Sequence, residues 1–224
     1  MTAPVIETDG KAIVLDLSTG ARLCGVVIAG LDVRALSDLI RRSMDAAGTA
    51  FAFGRWAEPR ELYTSDGFMS PDSAERRTIH LGLDLFCRAG TSVHAPLDGT
   101  VELVANNARE LDYGPLVILR HRQDGGADFF TLYGHLSLHT LQHVSAGQAV
   151  HAGEQIGAVG EAPTNGNWPA HLHFQVINDL LGLGADFPGV AAASEQDYWL
   201  GLSPSPARFF PECKANLLEY VRCN

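Results

Sequence analysis

Nine histidines in 224 residues are the side chains best suited to chemistry in this chain, because imidazole binds zinc and moves protons near neutral pH. His171-Leu172-His173 stands in an apolar run of strand length. Residues two apart on a strand project from one face, whereas in a helix they would diverge by about 200°. Both rings can therefore reach one site. The spacing of His80 and Asp84 puts an imidazole and a carboxylate on one side of a strand or of a helix turn, and that pairing suits zinc. One strand histidine added to this pair gives three protein ligands with a fourth position open for water, the arrangement of catalytic rather than structural zinc.

Spacing alone leaves competitors. With nine histidines and fifteen aspartates, a chance His-x-x-x-Asp is about as frequent as not, and a second one is present. In His94-Ala-Pro-Leu-Asp98, Pro96 and Gly99 favour a turn with an exposed carboxylate. His135, His139 and His143 would line one face if HLSLHTLQH were helical. The run FFTLYGH before it is aromatic and β-branched, and its glycine weakens a helix, so His135 is expected at a strand end and the other two in a surface loop. His121 and His151 have no partner at useful spacing, which suits core or surface roles.

Composition bounds the rest. A formal charge of -10 and a pI near 5.2 disfavour nucleic acid and anionic lipid, which are bound through clustered Lys and Arg. No apolar stretch approaches the ~18–20 residues of a membrane span. Residues 1–20 show neither the basic start nor the apolar run of an export signal, so a cytoplasmic location is expected. Cys24, Cys87, Cys213 and Cys223 form no Cys-x-x-Cys pair, which argues against a thiolate site or a disulfide scaffold. Mostly buried thiols are expected, with a Cys213–Cys223 bridge as the alternative.

The elements that would position these histidines follow from patterning. Residues 11–30 give two β-branched runs separated by Ser18-Thr19-Gly20, the signature of a hairpin. Leu36, Leu39, Ile40 and Met44 then recur at helical spacing behind Asp32, a plausible N-cap. After Arg60, apolar runs of strand length recur at residues 101–105, 116–121, 129–135, 156–160 and 171–177. Turns at Asn106-Asn107, Asp124-Gly125-Gly126, Ala146-Gly147 and Asn165-Gly166 separate them, so an antiparallel arrangement is expected. Residues 213–221 offer one more helical face in Leu217, Leu218 and Val221. The expected organisation is a hairpin-helix extension over 1–60, a mainly β domain over 61–200 and a docking tail over 201–224.

The ordered motifs HLGLD, LYGHL and HLHF, embedded in AGTSVHAPLDGTVELV, YGPLVILRH and VSAGQAVHAGEQIGAVG, resemble the lysostaphin and LytM-type zinc metallopeptidases, a peptidoglycan endopeptidase family. The resemblance covers about Arg60 to Ile177. It implies a mainly β (β-rich α+β) fold whose antiparallel sheet, a duplicated hybrid motif, floors a groove. It also implies one Zn2+ held by His80, Asp84 and His173, with His135 and His171 matching the two catalytic histidines that are not ligands. The implied reaction is hydrolysis of a peptide bond in peptidoglycan cross-links or glycine-containing peptides. His171 would orient or deprotonate water, and His135 would stabilise the oxyanion or protonate the leaving amine. The implied alternative is a non-catalytic metal-binding regulatory module of a larger protein.

Two positions depart from the family pattern: the approach to the last motif reads Pro163-Thr164-Asn165-Gly166-Asn167-Trp168-Pro169, and Gln175 stands where an acid is common. The segments RRTIHLGLDLF, NWPAHLHFQV and NDLLGLGADFPGV resemble the subtype found inside cytoplasmic aminotransferase fusion proteins. Neighbouring domains would then be partners beside a peptide or peptidoglycan-like substrate. The N-terminal extension would either occlude the groove or dock such a neighbour.

Overall fold

The computed structural model describes residues 2–71, 74–122, 126–211 and 213–220. Its chain begins with three two-residue strands, β1 (Ile13–Val14), β2 (Arg22–Leu23) and β3 (Val26–Val27). Helix α1 (Val33–Ala47) follows, and then β4 (Ala52–Gly54), β5 (Ile79–His80), β6 (Leu83–Phe86) and β7 (Ser92–His94). The long strands β8 (Gly99–Asn107), β9 (Gly114–His121) and β10 (Phe129–Gly134) lead to a one-turn helix, α2 (Thr140–His143). β11 (Ala149–Val150), β12 (Gln155–Ala158), β13 (His171–Ile177) and β14 (Val190–Ala191) complete the strands, and α3 (Gln196–Leu202) and α4 (Ala215–Leu218) close the chain.

The fold is mainly β. Eight strands make one sheet in the order β1-β4-β6-β13-β10-β9-β8-β11, antiparallel at each pairing except that of β1 with β4, which is parallel. β13 lies in its middle and is buried along its whole length. Leu172, Phe174 and Val176 enter the main core with Leu83, Leu85, Val117, Leu119 and Tyr133. On the alternate positions, Ile177 joins Leu116, Ile118, Leu132 and Phe187 in a second cluster, and His171, His173 and Gln175 share that alternation. Burial on both faces is what removes the polar half of the usual strand pattern.

The N-terminal residues fold differently from the expected hairpin. Gly20 is left-handed (φ 77°) and the Ala21 N–H bonds Ser18 O at 2.9 Å, but this turn carries the chain away from β1, which pairs with β4 instead. The hairpin is β2–β3, closed by Cys24 (φ 48°) and Gly25 (φ 79°). Two successive positive φ values define the turn that matches strand twist. Helix α1 begins behind Asp32, whose carboxylate accepts from Ala35 N at 2.7 Å. It buries Leu36, Leu39 and Ile40 against Leu15, Leu17 and Phe86.

Three further expectations change. Asn106 and Asn107 end β8 rather than turning, because both pair with β9 at Pro115 and Gly114. His139 caps the helical turn α2 where a loop was expected; Thr140 Oγ1, buried there, accepts from Ala158 N and anchors it. The C-terminal helix is a single turn, and its expected member Val221, like Cys223 and Asp124-Gly125, falls outside the described residues. Cys24 is exposed and Cys87 buried.

Candidate metal centre

Strand pairing assembles the site. His173 on β13 is in register with Asp84 on β6 and with Gly134 on β10, so His135, the next residue, stands beside it. His80 arrives from β5, which turns into β6 through Leu81 and Gly82. That turn must be tight: a Cβ at Gly82 would sit 2.5 Å from His173 Cε1. His135 has a left-handed backbone (φ 61°), held by its N–H to Tyr113 O and by Gly160 N–H to its carbonyl, both 2.8 Å.

His80, Asp84 and His173 are buried and offer their ligand atoms within 4.8 Å of one another. His80 Nε2 lies 3.0 Å from His173 Nδ1, and each lies 3.2 Å from Asp84 Oδ1. The opposite ring nitrogens fix the tautomers. His80 Nδ1 donates to Arg55 O at 2.9 Å. The Gln175 amide nitrogen donates to Pro188 O and Ser203 Oγ, so Gln175 Oε1 accepts from His173 Nε2 at 3.0 Å. Rings held in these tautomers direct His80 Nε2, His173 Nδ1 and the Asp84 carboxylate to one point, a set of acceptors that a cation satisfies. The three residues thus fit a metal ion such as zinc by donor type, count and supporting bonds.

Electrostatics favour this arrangement at His80 and Asp84. Burial, then the neighbouring Arg60 charge, lowers the His80 pKa to about 4, so this ring is neutral at pH 7. Burial alone would raise the Asp84 carboxyl, but His80, Arg60 and His171 together hold it well below the usual carboxylate range. His171 Nδ1 donates to Pro169 O at 2.6 Å, leaving Nε2 3.7 Å from Asp84 Oδ1. His135 Nδ1 donates to Asn165 O at 2.9 Å, and its ring centroid is 4.4 Å from that of His171. Burial lowers the pKa of both rings, and in His135 the proximity of His171 adds to it.

All five histidine and aspartate positions singled out from sequence meet here. The others lie elsewhere: Asp98 and His151 are exposed side chains 3.7 Å apart, His121 bonds Thr131 in the core, and His143 reaches Gln155 O. The site opens into a cleft of about 250 Å³ whose walls include Leu36, Tyr63, Phe68, Tyr113, Trp168 and Pro188. Sequence reasoning did not find Arg60 or the Arg55 carbonyl, which are remote in sequence from Asp84 and His80. Gln175 carried a usable signal, because it follows His173 by two on the same strand face.

Residues 78–182 match the model of Peptidase family M23. An uncharacterized metalloprotease of Haemophilus influenzae is 42% identical over 96 residues, which cover 43% of this chain and 18% of that protein. Among solved structures, a zinc-containing peptidase from Vibrio cholerae is 28% identical with a TM-score of 0.37, over 48% of this chain and 29% of that one. The catalytic domain of lysostaphin from Staphylococcus simulans is 24% identical with a TM-score of 0.36, over 55% of this chain and 80% of that one. The chain therefore spans less than a third of the length of the first two proteins. Residues 78–182 are thus similar to Peptidase family M23, and His80, Asp84, His135, His171 and His173 all lie inside that match.

Proposed function

We propose that the chain is a zinc metallopeptidase that hydrolyses a peptide bond, with the ion held by His80, Asp84 and His173. The observation that carries this reading is the meeting of three acceptor atoms at the base of a cleft, with two further neutral histidines beside them. Zinc bound there supplies Lewis acidity for a carbonyl oxygen and lowers the pKa of water toward ~7.

The chain's own residues do the proton work. His171 and His135 each have Nδ1–H committed to a backbone carbonyl, so each presents Nε2 as an acceptor. In the resting state neither offers a proton to an oxyanion. One of them takes the proton from water and afterwards donates it to the leaving amine. Their closeness favours a single shared proton, since two positive rings at this separation repel. The aromatic walls, Tyr63 and Trp168 among them, exclude water and suit a peptide lying across the cleft.

Peptidoglycan cross-links or glycine-containing peptides are the proposed substrates. The segments around Ile79, His171 and Gly184 extend the proposal to the subtype that works beside an aminotransferase in fusion proteins. The two committed histidines favour catalysis over a purely metal-binding regulatory module, which needs no proton carrier. Metal analysis combined with a cleavage screen over cell-wall fragments and glycyl peptides tests the reading. His171→Ala is expected to keep its zinc while losing about 10²–10⁴-fold in rate. Bound zinc with no cleavage of any substrate by the wild type would overturn the peptidase reading in favour of the binding module.

A further inference from the structure

Asp84 has two oxygens, and only one faces the histidines. Oδ2 accepts from Arg60 Nη1 at 2.6 Å, which leaves Oδ1 at the meeting point with His80 and His173. Arg60 is 2% exposed. Its guanidinium is fixed from three further directions: Nε donates to Glu58 Oε2 at 2.9 Å, Nη2 to Arg55 O at 3.3 Å, and Nη1 also reaches Tyr63 Oη at 3.3 Å. Glu58 is fully buried and is itself held by Leu17 N–H at 3.2 Å and by Arg55.

A second feature makes room for this arrangement. Gly54 on β4 is the register partner of Asp84. A Cβ there would lie 2.6 Å from Arg60 Nη2 and 3.1 Å from Leu17 Cδ1, so the guanidinium occupies the space that a side chain would take. The same segment supplies the Arg55 carbonyl that orients His80. Residues 54–60 lie outside the M23 match at 78–182, yet they bond two of the three ligand residues.

We propose that Arg60 is a positioning residue that pins Asp84 as a one-oxygen metal ligand, and that residues 54–60 are thereby an integral part of the metal centre. The inference rests on the zinc reading above. The physical reason is geometric. A carboxylate free to turn can bind a cation through both oxygens, which crowds the position left open for water, whereas a short charge-assisted bond to Oδ2 removes that option. Partners in this outer position commonly change metal affinity by about 10–100-fold when lost.

Removing Arg60 alone takes from the buried Glu58 its shortest ion pair and leaves it the 3.5 Å contact to Arg55, so Arg60→Gln is paired with the double variant Glu58→Gln/Arg60→Gln, and Arg60→Lys serves as the conservative rescue. Metal-free protein is titrated with zinc against a chromogenic chelator, and the visible spectrum of the cobalt(II) form reports coordination number. The folded double variant is expected to bind zinc about 10–100-fold more weakly, with a weaker cobalt absorption as Asp84 adds its second oxygen. Arg60→Lys should recover part of both, and Gly54→Ala, which displaces the guanidinium, should shift both toward the double variant. Zinc affinity within twofold of wild type in the folded double variant, with an unaltered cobalt spectrum, overturns this proposal alone. A wild type that takes up neither ion overturns the metal reading and this proposal with it.

Discussion

His80 Nε2 and His173 Nδ1 face each other at 3.0 Å while the other nitrogen of each ring is committed as a donor, to Arg55 O and to Gln175 Oε1. With neutral rings, such a pair is repulsive until a cation lies between them and Asp84. Metal binding should therefore stabilise the fold. Zinc at about 1,000 times its dissociation constant is expected to add ~4 kcal/mol, read as a rise in the urea midpoint on restoring zinc to chelator-treated protein. His173→Ala should abolish that rise. An equal rise in that variant would place the ion elsewhere.

Gly82→Ala tests how tightly the turn from β5 to β6 is set against the site. The added Cβ would meet His173 Cε1 at 2.5 Å, Nε2 at 2.6 Å and Phe174 O at 2.9 Å. Phe174 is central to the main core, so the backbone cannot yield and the imidazole must turn. Zinc affinity is expected to fall by at least tenfold, in line with the sensitivity of metal sites to ligand orientation. Isothermal titration would show it, and wild-type affinity in Gly82→Ala would mean that the turn relaxes.

Gln175 selects the His173 tautomer. Gln175→Leu removes the acceptor for His173 Nε2–H and leaves Pro188 O and Ser203 Oγ without their amide donor. Both effects point the same way: zinc binding weaker by about 10–100-fold and a fold less stable by roughly 1–3 kcal/mol for the orphaned groups. Gln175→Glu, which still accepts from Nε2–H, should recover metal affinity but not stability. Recovery of neither would show that the amide acts only through packing.

The sequence carried four strands of the central sheet, β8, β9, β10 and β13, because they are apolar runs bounded by turns, and the range expected for β13 coincides with the strand itself; the run at 156–160 became β12, which pairs with β7 outside that sheet. Alternation on one strand likewise puts His171 and His173 on a common face, whereas the register with β6 that brings Asp84 across to them is a long-range pairing. The N-terminal residues were legible only in part. The helix and its Asp32 cap follow from local spacing, but β1 pairs with β4 in parallel, a contact that no local pattern encodes. Arg60 was hidden for a related reason. Twenty-four residues separate it from Asp84, and an arginine reads as surface until a buried carboxylate is known to need it.

His121 offers a pH test away from the metal. Its Nδ1 donates to Asp98 O at 2.9 Å and its Nε2 lies 2.7 Å from Thr131 Oγ1, in a place where the ring is 1% exposed. Burial lowers its pKa below the ordinary 6.5. In the unfolded chain the ring takes up a proton as pH falls through 6.5, while in the folded protein it resists. The unfolded state then binds more protons, so acidification below 6.5 destabilises the fold, by up to ~1.4 kcal/mol per pH unit for this one group. His80, His135 and His171 add slopes of the same sign, which cancel when the wild type is compared with His121→Asn in urea melts at pH 7.5 and 5.5. The wild type is expected to lose more stability over that interval than the variant. Equal losses would mean that His121 protonates in the folded protein as readily as in the unfolded chain, and that its bonds in the core accommodate the charged ring.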